Sequence, residues 1–195
     1  METLFGMMNS VVRDKENEEN QRIIEALSGI HTYTDVVNVM NLRLRTHVNF
    51  GIEYDVPQSW CRFDSKEPDC VMYFAKGFKN GRAVMPAAFR ISRKRGDYRG
   101  YENLDRLERL ALYTAKTPSC YSFKYLKEVN INGRKGIKAV CTDNKSIGGP
   151  YDTDIYFFYK SKTEVVIAFC ITAEDSRAYY NRVFYEILSS IRYIR

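Results

Sequence analysis

The chain has 195 residues, 45% hydrophobic and 28% charged, with Tyr (15) and Phe (11) plentiful and Gly (11) and Pro (5) scarce. That composition suits one globular domain with a sheet-rich core and excludes a collagen-like or largely disordered chain. Net charge is +6, which favours anionic partners, and no apolar run approaches the roughly 20 residues that span a bilayer.

Residues 1–30 form a helical appendage in this reading. Asp14 to Ser28 presents Ile23, Ile24 and Leu27 on one narrow side, and Gly29 supplies a stop. The segment holds three basic and six acidic side chains, net −3, which leaves +9 on residues 31–195. That contrast suggests self-association as a homodimer, or masking of the basic face. From Thr32 to Phe50 the pattern turns β-like, through Val37, Val39, Leu42 and Leu44. In Gly51 to Trp60, GIEYDVPQSW, the residues Ile52, Tyr54 and Val56 point one way and Glu53 and Asp55 the other, until Pro57 ends the strand. Val71 to Phe74 is a short strand, and the Lys79-Asn80-Gly81 turn leads into a strand from Ala83 to Ile91.

After a loop at Gly96 to Gly100, a helix is predicted from Asn103 to Lys116, with Leu104, Leu107, Leu110 and Ala111 on one face. Pro118 forbids its continuation. Two hairpins follow. Tyr125–Ile131 turns through Asn132-Gly133-Arg134-Lys135-Gly136 into Ile137–Cys141, and Ile155–Tyr159 turns through Lys160–Thr163 into Val165–Ile171. The second hairpin is apolar on both faces, as a strand pair covered on both sides must be. A closing helix is capped by Asp175 or Ser176, buries Tyr180, Val183, Phe184, Ile187, Leu188 and Ile191, and ends at Arg192 and Arg195 beside the negative end of its dipole. Hairpins imply an antiparallel sheet, and two-sided strands imply cover on both faces. The predicted class is α+β, a three-layer α/β/α sandwich.

Candidate chemistry is sparse. The five cysteines, Cys61, Cys70, Cys120, Cys141 and Cys170, are odd in number and show no CxxC spacing, so a zinc site is not signalled. Free thiols and a cytoplasmic home are the reading. The alternatives are a Cys61–Cys70 bridge across their loop and, for the compartment, an extracytoplasmic lipoprotein whose leader has been removed. His31 and His47 lie too far apart in sequence to suggest a local motif. Asp152 and Asp154 after Gly148-Gly149-Pro150 read as a solvated turn, not a cation loop. No cofactor, metal or catalytic residue is assigned. The most function-like surface is the basic run Arg90, Arg93, Lys94, Arg95 and Arg99 with Tyr98, a candidate face for an acidic protein or for nucleic acid.

Four features, taken in order, resemble the PsbP-like fold family, which includes the photosystem extrinsic protein, the Ran-binding Mog protein and bacterial DcrB-type domains. They are the GIEYDVPQSW opening, the helix at Asn103–Lys116, the Asn132–Gly136 turn with the long apolar hairpin after it, and the closing YEILSSIRYI. The likeness covers residues 48–195. It implies a non-enzymatic protein-binding module, an adaptor, assembly factor or secretion-cargo chaperone, whose partner is acidic or offers an apolar segment. It carries over no site residue. The alternative is a binder of nucleic acid or another anionic ligand through the Arg90–Arg99 face.

Overall fold

The structure, a computed structural model, describes residues 43–65, 67–79, 82–98, 103–117, 121–143 and 150–194. The appendage at 1–30, the β-like segment as far as Leu42, Cys120 and Arg99 lie outside the described residues. Strand β1 (Leu44–Asn49) turns through Phe50-Gly51 into β2 (Ile52–Pro57). Both turn residues have positive φ, 57° and 67°, as a two-residue hairpin matched to strand twist demands. Next come β3 (Cys61–Asp64), β4 (Cys70–Phe74), β5 (Gly77–Lys79), β6 (Arg82–Val84) and β7 (Ala87–Arg95). The strand expected over Ala83–Ile91 is divided at Met85-Pro86, because Pro86 has no N–H to give a ladder.

Helix α1 (Asp105–Lys116) leads to β8 (Tyr121–Ile131), β9 (Arg134–Asp143), β10 (Tyr151–Ser161) and β11 (Glu164–Ala173). A single 3-10 turn (Glu174–Ser176) then enters α2 (Arg177–Ser190), and β12 (Arg192–Tyr193) follows. The β8–β9 turn is shorter than its sequence suggests. Asn132 and Gly133 alone make it, at φ 49° and 78°. Gly136 belongs to β9 opposite Phe158, where a Cβ would stand 2.4 Å from the Phe157 carbonyl oxygen.

Among the described residues the main sheet has seven strands in the order β3-β4-β7-β11-β10-β9-β8, every neighbouring pair antiparallel. A small sheet runs β1-β2-β12. Strand alternation divides the core in two. On one face Phe89, Ile91, Phe158, Val166 and Cys170 pack with Ile52, Tyr54 and Val56 of β2 and with Tyr180, Val183, Phe184 and Ile187 of α2. On the other face Ala88, Ile137, Phe157, Ile167 and Ile171 pack with Leu107, Ala111 and Ala115 of α1. The expected sandwich is therefore present, with a small sheet sharing one layer with α2. Trp60 meets Tyr180 and Phe184 edge-on, with ring centroids 6.0 Å apart in each case. It is an anchor for α2.

The end of α2 differs from expectation. The helix stops at Ser190, and Ile191 turns to ψ 126°. Arg192 therefore leaves the helix, pairs across to Glu53 in the small sheet and meets its carboxylate at 2.7 Å. The exposed carbonyls of the helix end are served by the β8–β9 turn instead. Arg134 donates to the Leu188 carbonyl (3.0 Å) and the Ile191 carbonyl, and Asn132 donates to the Ser189 carbonyl at 2.6 Å.

A charged pocket beneath α2 as candidate functional site

The described arginines and lysine of the basic run, Arg90 to Arg95, do not form one patch. They lie on β7, so consecutive side chains alternate between faces. Arg90 and Lys94 fall on the α1 side, where Arg90 sits over the Phe169 ring (5.0 Å) and pairs with Glu67, and the Lys94 ammonium lies 5.9 Å from the Tyr113 ring centre. Arg93 and Arg95 fall on the α2 side. Arg93 is held between Asp69 (2.7 Å) and Glu164 (3.0 Å), and Arg95 reaches toward Glu164 at 3.9 Å. Glu164 also takes Lys160 at 2.7 Å, whose hydrogen bond holds its carboxyl below the ordinary range. Tyr98 meets Tyr159 edge-on, and its N–H donates to the Lys162 carbonyl at 2.7 Å. Arg90 and Arg93 are thus tied into the fold by acidic partners, while Lys94 and Arg95 stay exposed to solvent.

A different constellation converges on the α2 side. Asp152 and Asp154 stand two places apart on β10, so both point to that face, about 7 Å from each other along the strand. They are buried, not a solvated turn as their glycine-rich approach suggests. Arg177, in the first turn of α2, meets Asp152 at 2.8 Å and Asp154 at 3.5 Å. Lys138 of β9 pairs with the other Asp154 oxygen. Lys124 of β8 reaches Asp152 at 3.2 Å, and the Thr142 hydroxyl donates to it at 3.1 Å. Lys124 sits where the β8–β9 register shifts between Phe123 and Tyr125. The bulge re-aims it. Burial alone would raise the Asp152 carboxyl, but the hydrogen bonds from Arg177, Lys124 and Thr142 and the Arg177 charge hold it below the ordinary carboxylate value. Three cations face two carboxylates here.

Beside this network lies a pocket of about 140 Å³. Its floor is Lys138, Asp154, Tyr156 and Cys170, and the helix wall brings Arg177, Asn181, Phe184, Tyr185 and Leu188. Burial pushes both the Tyr156 phenol and the Cys170 thiol well up, so each stays protonated at neutral pH. One Asp154 oxygen, Oδ1, is buried without a hydrogen-bond partner. Tyr185 is 57% exposed at the helix wall, and Tyr125, 48% exposed on β8, lies near enough to act electrostatically on both Tyr156 and Arg177. This pocket was hidden in the sequence, since its residues come from five separate elements. The paired Asp152 and Asp154 were its one visible mark.

The four described cysteines are free. Cys61 lies opposite Phe74, four residues from Cys70 along β4, so about 13 Å separates their positions, too far for a disulfide. Among the described residues no group of three or more His, Cys, Asp or Glu is placed to hold a metal, and no helix is long and apolar enough to cross a membrane.

No family model and no curated protein matches the sequence. Solved structures do match in fold. Cyanobacterial PsbP from Synechocystis sp. PCC 6803 aligns at 13% identity over 80% of this chain and 95% of that one, with a TM-score of 0.54. LpqN, involved in cell envelope biogenesis of Mycobacterium tuberculosis, aligns at 11% identity over 85% and 98%, with a TM-score of 0.50. A Bacteroides thetaiotaomicron protein aligns at 13% identity over 74% of this chain, TM-score 0.50, and the match spans only 46% of that longer chain. The chain has the PsbP-like fold, and identities this low show the fold alone. The cytoplasmic home expected from its thiols is corrected by the same comparison, because LpqN shares the fold and works in building the cell envelope. The thiols were a poor guide. Cys70, Cys141 and Cys170 are buried, and burial holds each one's pKa above the ordinary thiol value. Such cysteines stay free whatever the compartment.

Proposed function

We propose that the protein is a non-enzymatic binding module of the PsbP-like kind, and that it takes a partner polypeptide at the pocket beneath α2. The observation that carries this reading is the pocket itself, lined by the ion-paired Lys138, Asp154 and Arg177 and by the exposed Tyr185, with the exposed Tyr125 nearby. Tyrosines are enriched at protein interfaces, where each offers a large apolar ring with a polar tip. The polar groups suit recognition. The Tyr156 phenol and Cys170 thiol stay protonated at neutral pH, which suits neither to act as base or nucleophile.

A photo-crosslinking amino acid tests it, placed in turn at position 125, 185 or 94 and activated in extract of the source cells. Adducts with one discrete protein should form from 125 and 185, and Asn181→Arg should abolish them by filling the pocket mouth. Adducts from 94 alone would reject the pocket. The second reading, an anionic ligand on the β7 end, is favoured by the exposure of Lys94 and Arg95. Under it, wild type binds mixed-sequence DNA or RNA with a steep salt dependence, and Lys94→Glu/Arg95→Glu does not.

A further inference from the structure

Among the described residues β8 lies at one edge of the main sheet and β1 at one edge of the small sheet. The β8 edge carries Lys124, Lys127 and a bulge, the usual means of keeping a second strand away. The β1 edge has no lysine, proline or bulge. We infer that β1 is a self-association edge, where a second copy of this chain adds its own β1, antiparallel, across a two-fold axis at Thr46.

The phase of the β1–β2 ladder selects that register. The Arg43 carbonyl accepts from the Gln58 N–H at 2.8 Å, and in an antiparallel pair every second residue bonds across. Arg45, His47 and Asn49 therefore turn their backbone toward β2, and Leu44, Thr46 and Val48 turn theirs to the free edge. Pro57, which has no N–H to give, stands opposite Leu44 as this phase requires. Centred on Thr46, the pairing sets Leu44 against Val48, Thr46 against Thr46, and Val48 against Leu44. Each pair exchanges two hydrogen bonds, so about six form. A register centred on His47 forms about four, and one centred on Arg45 sets two guanidinium groups opposite each other.

The side chains agree with the backbone. Leu44 is 41% and Val48 58% exposed, and on the outer face the pairing covers each with the other. The Thr46 hydroxyl between them donates to Asp55 of its own copy at 2.7 Å. On the inner face Arg45 meets the second copy's His47. Burial and the charges of Arg45 and Arg62 lower the His47 pKa against the pull of Asp55, so the ring is neutral at pH 7 and two cations do not meet. Net charge favours the same arrangement. Residues 1–30 carry −3 and residues 31–195 carry +9, and each chain enters β1 beside the other's Asn49, which brings the acidic segment of one copy to the basic body of the other.

Sedimentation of the full chain, from micromolar to submillimolar concentration, tests this. A reversible monomer–dimer equilibrium is expected. Val48→Lys should weaken it at least about tenfold, because the change enters both apolar pairs, while the far-UV spectrum stays that of wild type. Thr46→Cys should give a disulfide-linked dimer under mild oxidation, the two Cα atoms standing about 5.5 Å apart, and Tyr185→Cys, exposed on α2, should not. A dimer that Val48→Lys leaves intact overturns the inference, and so does one that Tyr185→Cys links as readily as Thr46→Cys. A monomer throughout overturns it too, and slow hydrogen exchange at its Leu44, Thr46 and Val48 amides would assign the edge to the chain's own residues before Arg43. Strand β1 supplies no lining residue of the pocket beneath α2, so the two sites are tested independently.

Discussion

Replacing Arg177 with Met keeps the length and apolar stem of the side chain and removes its charge. Asp152 and Asp154, each 11% exposed at the side chain, then keep one lysine apiece. Breaking a fully buried pair costs about 3–5 kcal/mol. Here Arg177 is 32% exposed and neither carboxylate is left alone, so the expected loss is nearer the value of one charged hydrogen bond, about 2 kcal/mol. For a domain of this size that lowers Tm by about 4–8 °C. The loss should also depend on pH. Asp152 is held below its unfolded pKa, so Arg177 stabilises fully above the unfolded carboxylate value of about 4. The contribution fades as pH falls through the depressed folded value. Urea unfolding of both proteins at pH 7 and again near pH 3 measures it. A difference under about 0.5 kcal/mol at pH 7, or one that is undiminished near pH 3, would refute the account of Asp152 as an ion-paired carboxylate.

Gly136→Ala should destabilise by about 3 kcal/mol, since the added Cβ meets the Phe157 carbonyl and the Phe158 ring and the backbone cannot give way; thermal melts check it. Gly133→Ala has open space but keeps a φ of 78°, so only the left-handed strain of about 1–2 kcal/mol remains, and the ranking of the two variants is the decisive reading. Arg134→Ala should cost about 1–3 kcal/mol by leaving two carbonyls at the end of α2 without their charged donor, with amide hydrogen exchange rising first in the last turn of α2. Thiol titration in denaturant without reductant should reach five, whereas the native protein should leave Cys141 and Cys170 unreacted; prompt native reaction of either would contradict their burial.

Legibility in the sequence followed the range of the interactions. The alternation Ile52, Tyr54, Val56 and the two-sided strands β10 and β11 were readable, because period-2 burial is a local signal. So was α1 through Leu107 and Ala111. The misread features all depend on distant partners. Asp152 and Asp154 looked solvated because Lys124, Lys138 and Arg177 approach from three other elements. Arg192 looked like a helix end because nothing local announces that Ile191 turns out toward Glu53. The basic run looked like one patch because a linear reading does not weigh the alternation of β7, nor the acids at Glu67, Asp69 and Glu164 that absorb Arg90 and Arg93.

Helix α2 is fastened at both ends by neighbouring strands of the same sheet. Arg177 ties its first turn to β10, and Arg134 and Asn132 tie its last turn to the β8–β9 hairpin. The roof of the pocket cannot lift without releasing one fastening, so the cleft acts as a fixed jaw and not a hinged one. Under the proposed function a partner would dock against a surface already in its final shape, with backbone adjustments of about 1 Å or less. Its association rate would then be set by encounter and orientation, on the order of 10⁵–10⁷ M⁻¹s⁻¹, and differences between partners would be expressed in how long each one stays.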